Sequence, residues 1–192
     1  MSVLAIIPAR SGSKRLPGKN MKMFCGKPLI QWTIEQANRI KEIDKIVITS
    51  DYDIDDLRGE AYSLNQHWQK RIIVHERPYF ICDDQTPMAK VICDVLSLDI
   101  EWPSLCVLLQ PTSPTRTDET VRECIKDASI YGQCFTVNSH PDNYLKPNGA
   151  CYAFWPNQLP PFRGNATVTS DDIDINTLED FKRAEAVMRE RL

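Results

Sequence analysis

Short, nearly unbroken apolar runs recur along the chain at Val3–Ile7, Lys45–Asp51, Arg71–Val74, Ser104–Leu109, Cys134–Val137 and Ala150–Phe154. Runs of this length read as buried strands. Between them lie stretches of helical periodicity. Leu29, Ile30, Thr33, Ile34 and Ala37 share one face after Pro28; others pass through Leu57 and Leu64, through Val91 to Leu96, from Thr120 to Ile130, and from Leu178 to Leu192. Strands alternating with helices make βαβ units and a parallel sheet. The expectation is one α/β domain over residues 1–192, with a doubly wound, mainly parallel, Rossmann-like sheet.

Open sheets of this kind bind ligands at the carboxyl ends of their strands. The first such end runs into Pro8-Ala9-Arg10-Ser11-Gly12-Ser13-Lys14-Arg15-Leu16-Pro17-Gly18-Lys19-Asn20, and no acid occurs before Glu35. Arg10, Lys14, Arg15 and Lys19 would repel one another unless an anion sat among them, which points to a polyanionic ligand such as a triphosphate. Arg10 is suited to bidentate contact with phosphate oxygens, the lysines act as point charges, and Gly12 and Gly18 permit close backbone approach. Neither a Walker loop nor a G-x-G-x-x-G fingerprint is present. The competing reading is a solvated basic loop.

Two further segments carry candidates. Gln110-Pro111-Thr112-Ser113-Pro114 follows the Ser104–Leu109 run, and its two prolines hold Gln110, Thr112 and Ser113 with little freedom, as a ligand contact requires. Near the other end Asp171, Asp172, Asp174, Glu179 and Asp180 crowd together. Carboxylates opposite a phosphate-binding loop suit a bridging Mg²⁺. Glu179 and Asp180 are equally explained as acids at a helix N-terminus. Asp83 or Asp84 reads as a cap for the helix through Val91, and Arg116 as the start of the next helix.

The order I-P-A-R-x-x-S-K-x-L-P-G-K-N-x-K, then G-K-P-L-I, L-L-Q-P-T-S-P-T-R-T from Leu108, K-P-N-G-A from Lys146 and D-I-N-T from Asp174 resembles the acylneuraminate cytidylyltransferases. The resemblance implies a nucleotidyltransferase fold and transfer of CMP from CTP to a 2-keto-3-deoxy sugar acid. It implies that Arg10, Lys14, Lys19 and Asp174 serve catalysis. Arg10, Ser11, Gly12, Ser13, Lys19, Asn20, Arg77 and Asp84 would bind the nucleotide, and Gln110, Thr112, Ser113, Lys146 and Tyr152 the sugar acid. Mg²⁺ would sit on Asp174 and Asn176, where the family's second aspartate is here an asparagine. Arg15 stands at a position that is usually glycine, and the base-contacting serine of some members falls near Pro87. Two alternatives stay open: a nucleotide-binding relative with impaired catalysis, and a nucleotidyltransferase for another sugar acid or a sugar phosphate.

Family members commonly carry a long insertion that exchanges between subunits, where this chain has only residues 138–149. A monomer, or a dimer through another surface, is therefore expected. The formal charge of −3 argues against general nucleic-acid binding. No apolar run approaches the roughly 20 residues needed to span a bilayer. Seven cysteines without C-x-x-C spacing indicate neither zinc nor a disulfide framework, and the three histidines share no spacing suited to a metal or a triad. A reducing, cytoplasmic setting is expected.

Overall fold

The computed structural model describes residues 1–53, 55–57, 59, 71–138, 146–161, 166–170 and 172–192, apart from the side chains of Arg71 and Lys146. In chain order come β1 (Val3–Ala9), β2 (Met23–Phe24), β3 (Lys27–Pro28), α1 (Leu29–Arg39), β4 (Lys45–Ser50), β5 (Arg71–Glu76), α2 (Met88–Leu96), β6 (Leu105–Leu109), α3 (Asp118–Tyr131), β7 (Gln133–Asn138), β8 (Lys146–Phe154), β9 (Ala166–Thr169) and α4 (Leu178–Arg191). Seven strands form one sheet in the order β5-β4-β1-β6-β8-β7-β9. Every pairing is parallel except those of β8, which runs antiparallel to both β6 and β7. The mainly parallel α/β sheet is as expected from the sequence.

Alternation along β1 shows why its run is apolar throughout. Val3, Ala5 and Ile7 join Ile30 and Ile34 of α1 in one core, while Leu4 and Ile6 join Ile92 and Val95 of α2 in another. Both faces of the strand are covered, so neither set of alternating side chains can be polar.

A third cluster fixes the loop after β1. Leu16 packs with Phe24, Leu29, Ile175, Phe181, Ala184 and Met188, and the Phe24 and Phe181 rings meet edge to face at 5.1 Å. The β2–β3 hairpin turns at Cys25 and Gly26, whose φ angles of 46° and 89° are those favoured by a tight two-residue hairpin turn. Helix α4 starts with a capping box, in which Thr177 accepts from the Asp180 amide and Asp180 accepts from the Thr177 amide. That cap positions the chain just before it, residues 174–176.

The expected helix through Leu57 and Leu64 falls mostly outside the described residues, of which 55–57 are helical. Strand β9, for which the sequence gives no expectation, pairs with β7 from Ala166 to Thr169. The short connection is shorter than expected: Asn138 pairs with Lys146 in the β7–β8 ladder, so Asn138 and Lys146–Gly149 are strand and residues 139–145 alone join them. Neither Asp83 nor Asp84 caps α2, whose N-cap is Pro87. Asp83 instead closes a local turn by accepting from the Gln85 and Thr86 amides. Among the described residues no helix is long and apolar enough to cross a membrane. All seven cysteines are free, and Cys106, Cys124, Cys134 and Cys151 are buried in the sheet's cores.

Candidate active site

The basic loop leaves β1 at Ala9 and is pinned from both sides. Asn20 donates through Nδ2 to the Arg10 carbonyl at 3.1 Å, and the Ser11 amide and hydroxyl donate to the Asp51 carboxylate at 2.7 and 2.8 Å. Gly18, at φ 63°, turns the chain into the short 3-10 helix Lys19–Met21 in a conformation that a β-carbon would strain. Lys19 is thereby aimed across to the segment before α4, where its Nζ donates to the Ile175 carbonyl at 2.5 Å. Burial pushes the Lys19 ammonium below its ordinary value, and the nearby Asp174 charge opposes that shift.

The acidic segment is held against the loop after β6. The Ile175 amide donates to the Thr112 carbonyl at 2.8 Å, and the Ile173 amide donates to Thr115 Oγ1 at 2.9 Å. These bonds separate acids that are neighbours in sequence. Asp180 closes the capping box, and Asp172 turns inward beside Ser170, where burial pushes its carboxyl up. Asp174 alone of the described acids in this segment faces the basic loop, with Asn176 Nδ2 donating to its Oδ2 at 2.7 Å.

Two communicating cavities result. One, of about 440 Å³, is lined by Arg10, Ser13, Lys14, Arg15, Lys19, Asp84 and Asn176. The other, of about 210 Å³, lies deeper at the ends of β1 and β6, where Pro8, Asn20, Arg77, Met88, Gln110, Pro111, Thr112 and Asp174 join Arg10, Ser13, Lys19 and Asn176. A half-buried bay of cations beside two carboxylates, Asp84 and Asp174, and three side-chain amides can bind phosphates at one end and polar groups of a second reactant at the other.

Most of the residues singled out in the sequence therefore meet. Arg10, Ser13, Lys14, Lys19, Asn20, Arg77, Asp84, Gln110, Thr112, Asp174 and Asn176 line the two cavities, and Tyr152 lines a third beside them. Ser11, Gly12 and Ser113 line none of these; Ser11 is engaged with Asp51 and Ser113 is buried. Lys146 enters β8 through its backbone, and its side chain lies outside the described atoms. Arg77 is buried and donates through Nη2 to the Thr49 carbonyl at 2.8 Å, so part of its guanidinium serves the sheet edge.

Some contributors carry no signal in the sequence. Arg116 is buried rather than simply opening α3: its Nε donates to Gln36 Oε1 at 2.8 Å, and its Nη1 reaches the Gln110 carbonyl at 3.3 Å and the Ala150 carbonyl. It thus ties the Gln110 loop to α1 and β8. Among the described residues no group of three or more His, Cys, Asp or Glu is arranged to hold a metal ion. His75 pairs with Asp94 at 2.6 Å, and His67 and His140 lie outside the described residues.

Comparison with known proteins places this site in context. The family model described as cytidylyltransferase matches residues 4–127, well over half of the chain. The CMP-N,N'-diacetyllegionaminic acid synthase of Legionella pneumophila is 36% identical over 153 residues, which are 77% of this chain and 61% of that protein. The N-acylneuraminate cytidylyltransferase of Escherichia coli is 35% identical over 124 residues, 65% of this chain and 27% of the relative. The chain thus spans less than two thirds of the length of either. Among solved structures, a CMP:2-keto-3-deoxy-manno-octonic acid synthetase complexed with CTP superposes with a TM-score of 0.71 over 100% of both chains at 18% identity, which shows a shared fold.

Proposed function

The chain belongs to the cytidylyltransferase family, and on that premise we propose that it transfers CMP from CTP to the anomeric hydroxyl of a 2-keto-3-deoxy sugar acid and releases pyrophosphate. The observation that carries the proposal is the convergence of Arg10 and Lys19 from the loop after β1, Gln110 from the loop after β6, and Asp174 from the segment before α4 on one cavity. Loops distant in sequence have no packing reason to bring two cations, a carboxylate and an amide to a common polar hollow. A nucleoside triphosphate and an acidic sugar supply one.

In this reading Arg10, Lys14 and Lys19 hold the triphosphate. Their charges neutralise the negative charge that builds on the pyrophosphate as the sugar hydroxyl attacks the α-phosphorus in line. Gln110 and Thr112 orient the sugar acid, and Asn20 keeps the loop in place through the Arg10 carbonyl. A hard divalent cation fits the residues present, because Mg²⁺ is commonly held by one or two carboxylates with substrate phosphates and water completing its shell. Asp174 would hold it, with the Asn176 amide oxygen as a neutral second donor. When bound, the ion would add positive charge at the phosphate oxygens.

The test is pyrophosphate release from CTP in the presence of a panel of sugar acids, with Arg10→Ala and Lys19→Ala alongside the parent chain. Each variant should lose roughly 10- to 1000-fold in kcat/KM, the scale of a lost charge-assisted contact or transition-state donor. Unchanged kinetics in both would remove this loop from the reaction.

A further inference from the structure

The loop after β1 is gripped at a single peptide group. The Arg10 carbonyl accepts from Asn20 Nδ2 at 3.1 Å, and the Ser11 amide donates to Asp51 Oδ1 at 2.7 Å. That carbonyl and that N–H belong to one planar unit, so both of its polar atoms are held and the plane cannot turn without breaking a bond. The Ser11 hydroxyl donates to the second Asp51 oxygen at 2.8 Å, which makes the grip two-pointed. Bonds to an ionised acceptor of this kind are the stronger ones.

Asp51 owes its place to the sheet. It directly follows β4, which runs beside β1 in parallel register up to the pair Ala9 and Ser50. The same strand end carries Arg77, whose amide donates to the Ser50 carbonyl at 2.7 Å and whose Nη2 donates to the Thr49 carbonyl at 2.8 Å. The Asp51 charge acts on that buried guanidinium as well. Half-buried itself, Asp51 lines neither polar cavity, yet it holds one residue next to Arg10 and faces another, Arg77, that lines the deeper cavity.

Resting on the CMP transfer proposed above, we infer that Asp51 is a positioning residue for that reaction, acting through the Arg10–Ser11 peptide. Holding this plane fixes ψ at Arg10, and with it the direction in which the Arg10 side chain leaves the end of β1. It also keeps the Ser11 amide away from the phosphates. Many phosphate-binding loops cradle the anion with backbone N–H groups. Here that donor is spent inside the protein, and the side chains of Arg10, Lys14 and Lys19 meet the charge instead. A guanidinium aimed before CTP arrives needs no reorganisation while charge builds on the leaving pyrophosphate.

The experiment compares the parent chain with Asp51→Ala and Asp51→Asn, measuring kcat and the KM for CTP in pyrophosphate release with the best-used acid of the panel above. Turnover is counted per CTP-binding chain, so a partly unfolded variant does not mimic the result, and hydrogen exchange of the Ser11 amide is followed by NMR. Asp51→Ala should lower kcat by roughly 10- to 100-fold, the scale of a misplacement of about 1 Å, and should speed Ser11 exchange. Its KM for CTP should stay unchanged or fall, because a carboxylate has left a cation-rich loop and an amide has been freed for phosphate. Asp51→Asn keeps an oxygen for that amide, so it should recover most of the lost kcat and the slow exchange. Unchanged kcat in Asp51→Ala, or a raised KM with kcat intact, overturns the inference and leaves CMP transfer standing. Asp51→Asn as slow as Asp51→Ala, with its Ser11 amide still protected, overturns it too, since charge and not the peptide grip would then matter. A parent chain that binds CTP and releases no pyrophosphate with any acid removes the proposed transfer and the role of Asp51 in it.

Discussion

Asp84 is ion-paired with Arg10: one carboxylate oxygen accepts from Arg10 Nη1, and the other meets Lys14 Nζ at 2.5 Å. Hydrogen bonds from Lys14 and then Arg10 hold the Asp84 carboxyl below the ordinary aspartate range. The chain thus supplies from the segment after β5 the anion that its cation-rich loop demands. A phosphate seeking Arg10 and Lys14 meets a carboxylate already there.

Asp84→Asn should therefore tighten binding of CTP. Exposed ion pairs are weak, so the dissociation constant should fall by only roughly two- to five-fold, measured by titration calorimetry. The depressed carboxyl sets the pH sense. Above the ordinary aspartate value Asp84 is charged in the pair; as pH falls through its lowered value the pair is lost and the difference between variant and parent disappears. Weaker binding by Asp84→Asn would show that Asp84 supports the nucleotide rather than competing with it.

The Asn176 amide is bonded to Asp174 at 2.7 Å, which leaves one carboxylate where a hard cation would bind. Asn176→Asp should lower the Mg²⁺ concentration that gives half-maximal pyrophosphate release, because a second carboxylate oxygen replaces a neutral one. A higher requirement, or activity independent of Mg²⁺, would contradict the assignment of the metal to this segment.

Arg116 joins three elements through the Gln36 side chain and the Gln110 and Ala150 carbonyls. Its removal strands buried acceptors, so Arg116→Met should cost about 2–5 kcal/mol in urea unfolding. It should also raise KM for the sugar acid, since the Gln110 loop loses its anchor. A change under about 0.5 kcal/mol, the scale of an ordinary surface substitution, would show that the bonds are not formed in solution.

How much of this could be read from the residues depends on how local the cause is. The sheet was legible because strands covered on both faces must be apolar throughout, as Leu4 and Ile7 are on opposite sides of β1. Strand β9 was not, since Ala166–Thr169 is four residues long and pairs only with a strand far behind it in sequence. The basic loop announced itself by charge density. Arg116 did not, because Asp118 and Glu119 just beyond it give the look of an exposed helix start, and only the fold brings Gln36 and Ala150 to it. The acids near the end were legible as a group and not one by one: a capping box claims Asp180, burial claims Asp172, and Asp174 is left for the cleft.

Assembly follows from the β7–β8 connection. Residues 139–145 join the paired Asn138 and Lys146. A standard interface uses roughly 20–30 residues a side, so this seven-residue connection cannot by itself form one. Sedimentation at micromolar concentration should give a monomer, or a dimer that persists when residues 139–145 are shortened. A dimer abolished by that shortening would contradict the expectation.

The most direct test is a crystal structure of the chain with CTP and Mg²⁺. The triphosphate should lie against Arg10, Lys14 and Lys19, with Asp84 released from Arg10 and the metal on Asp174. CTP bound elsewhere, or bound with the Asp84–Arg10 pair intact and Lys19 still on the Ile175 carbonyl, would contradict the assignment of this cleft to nucleotide transfer.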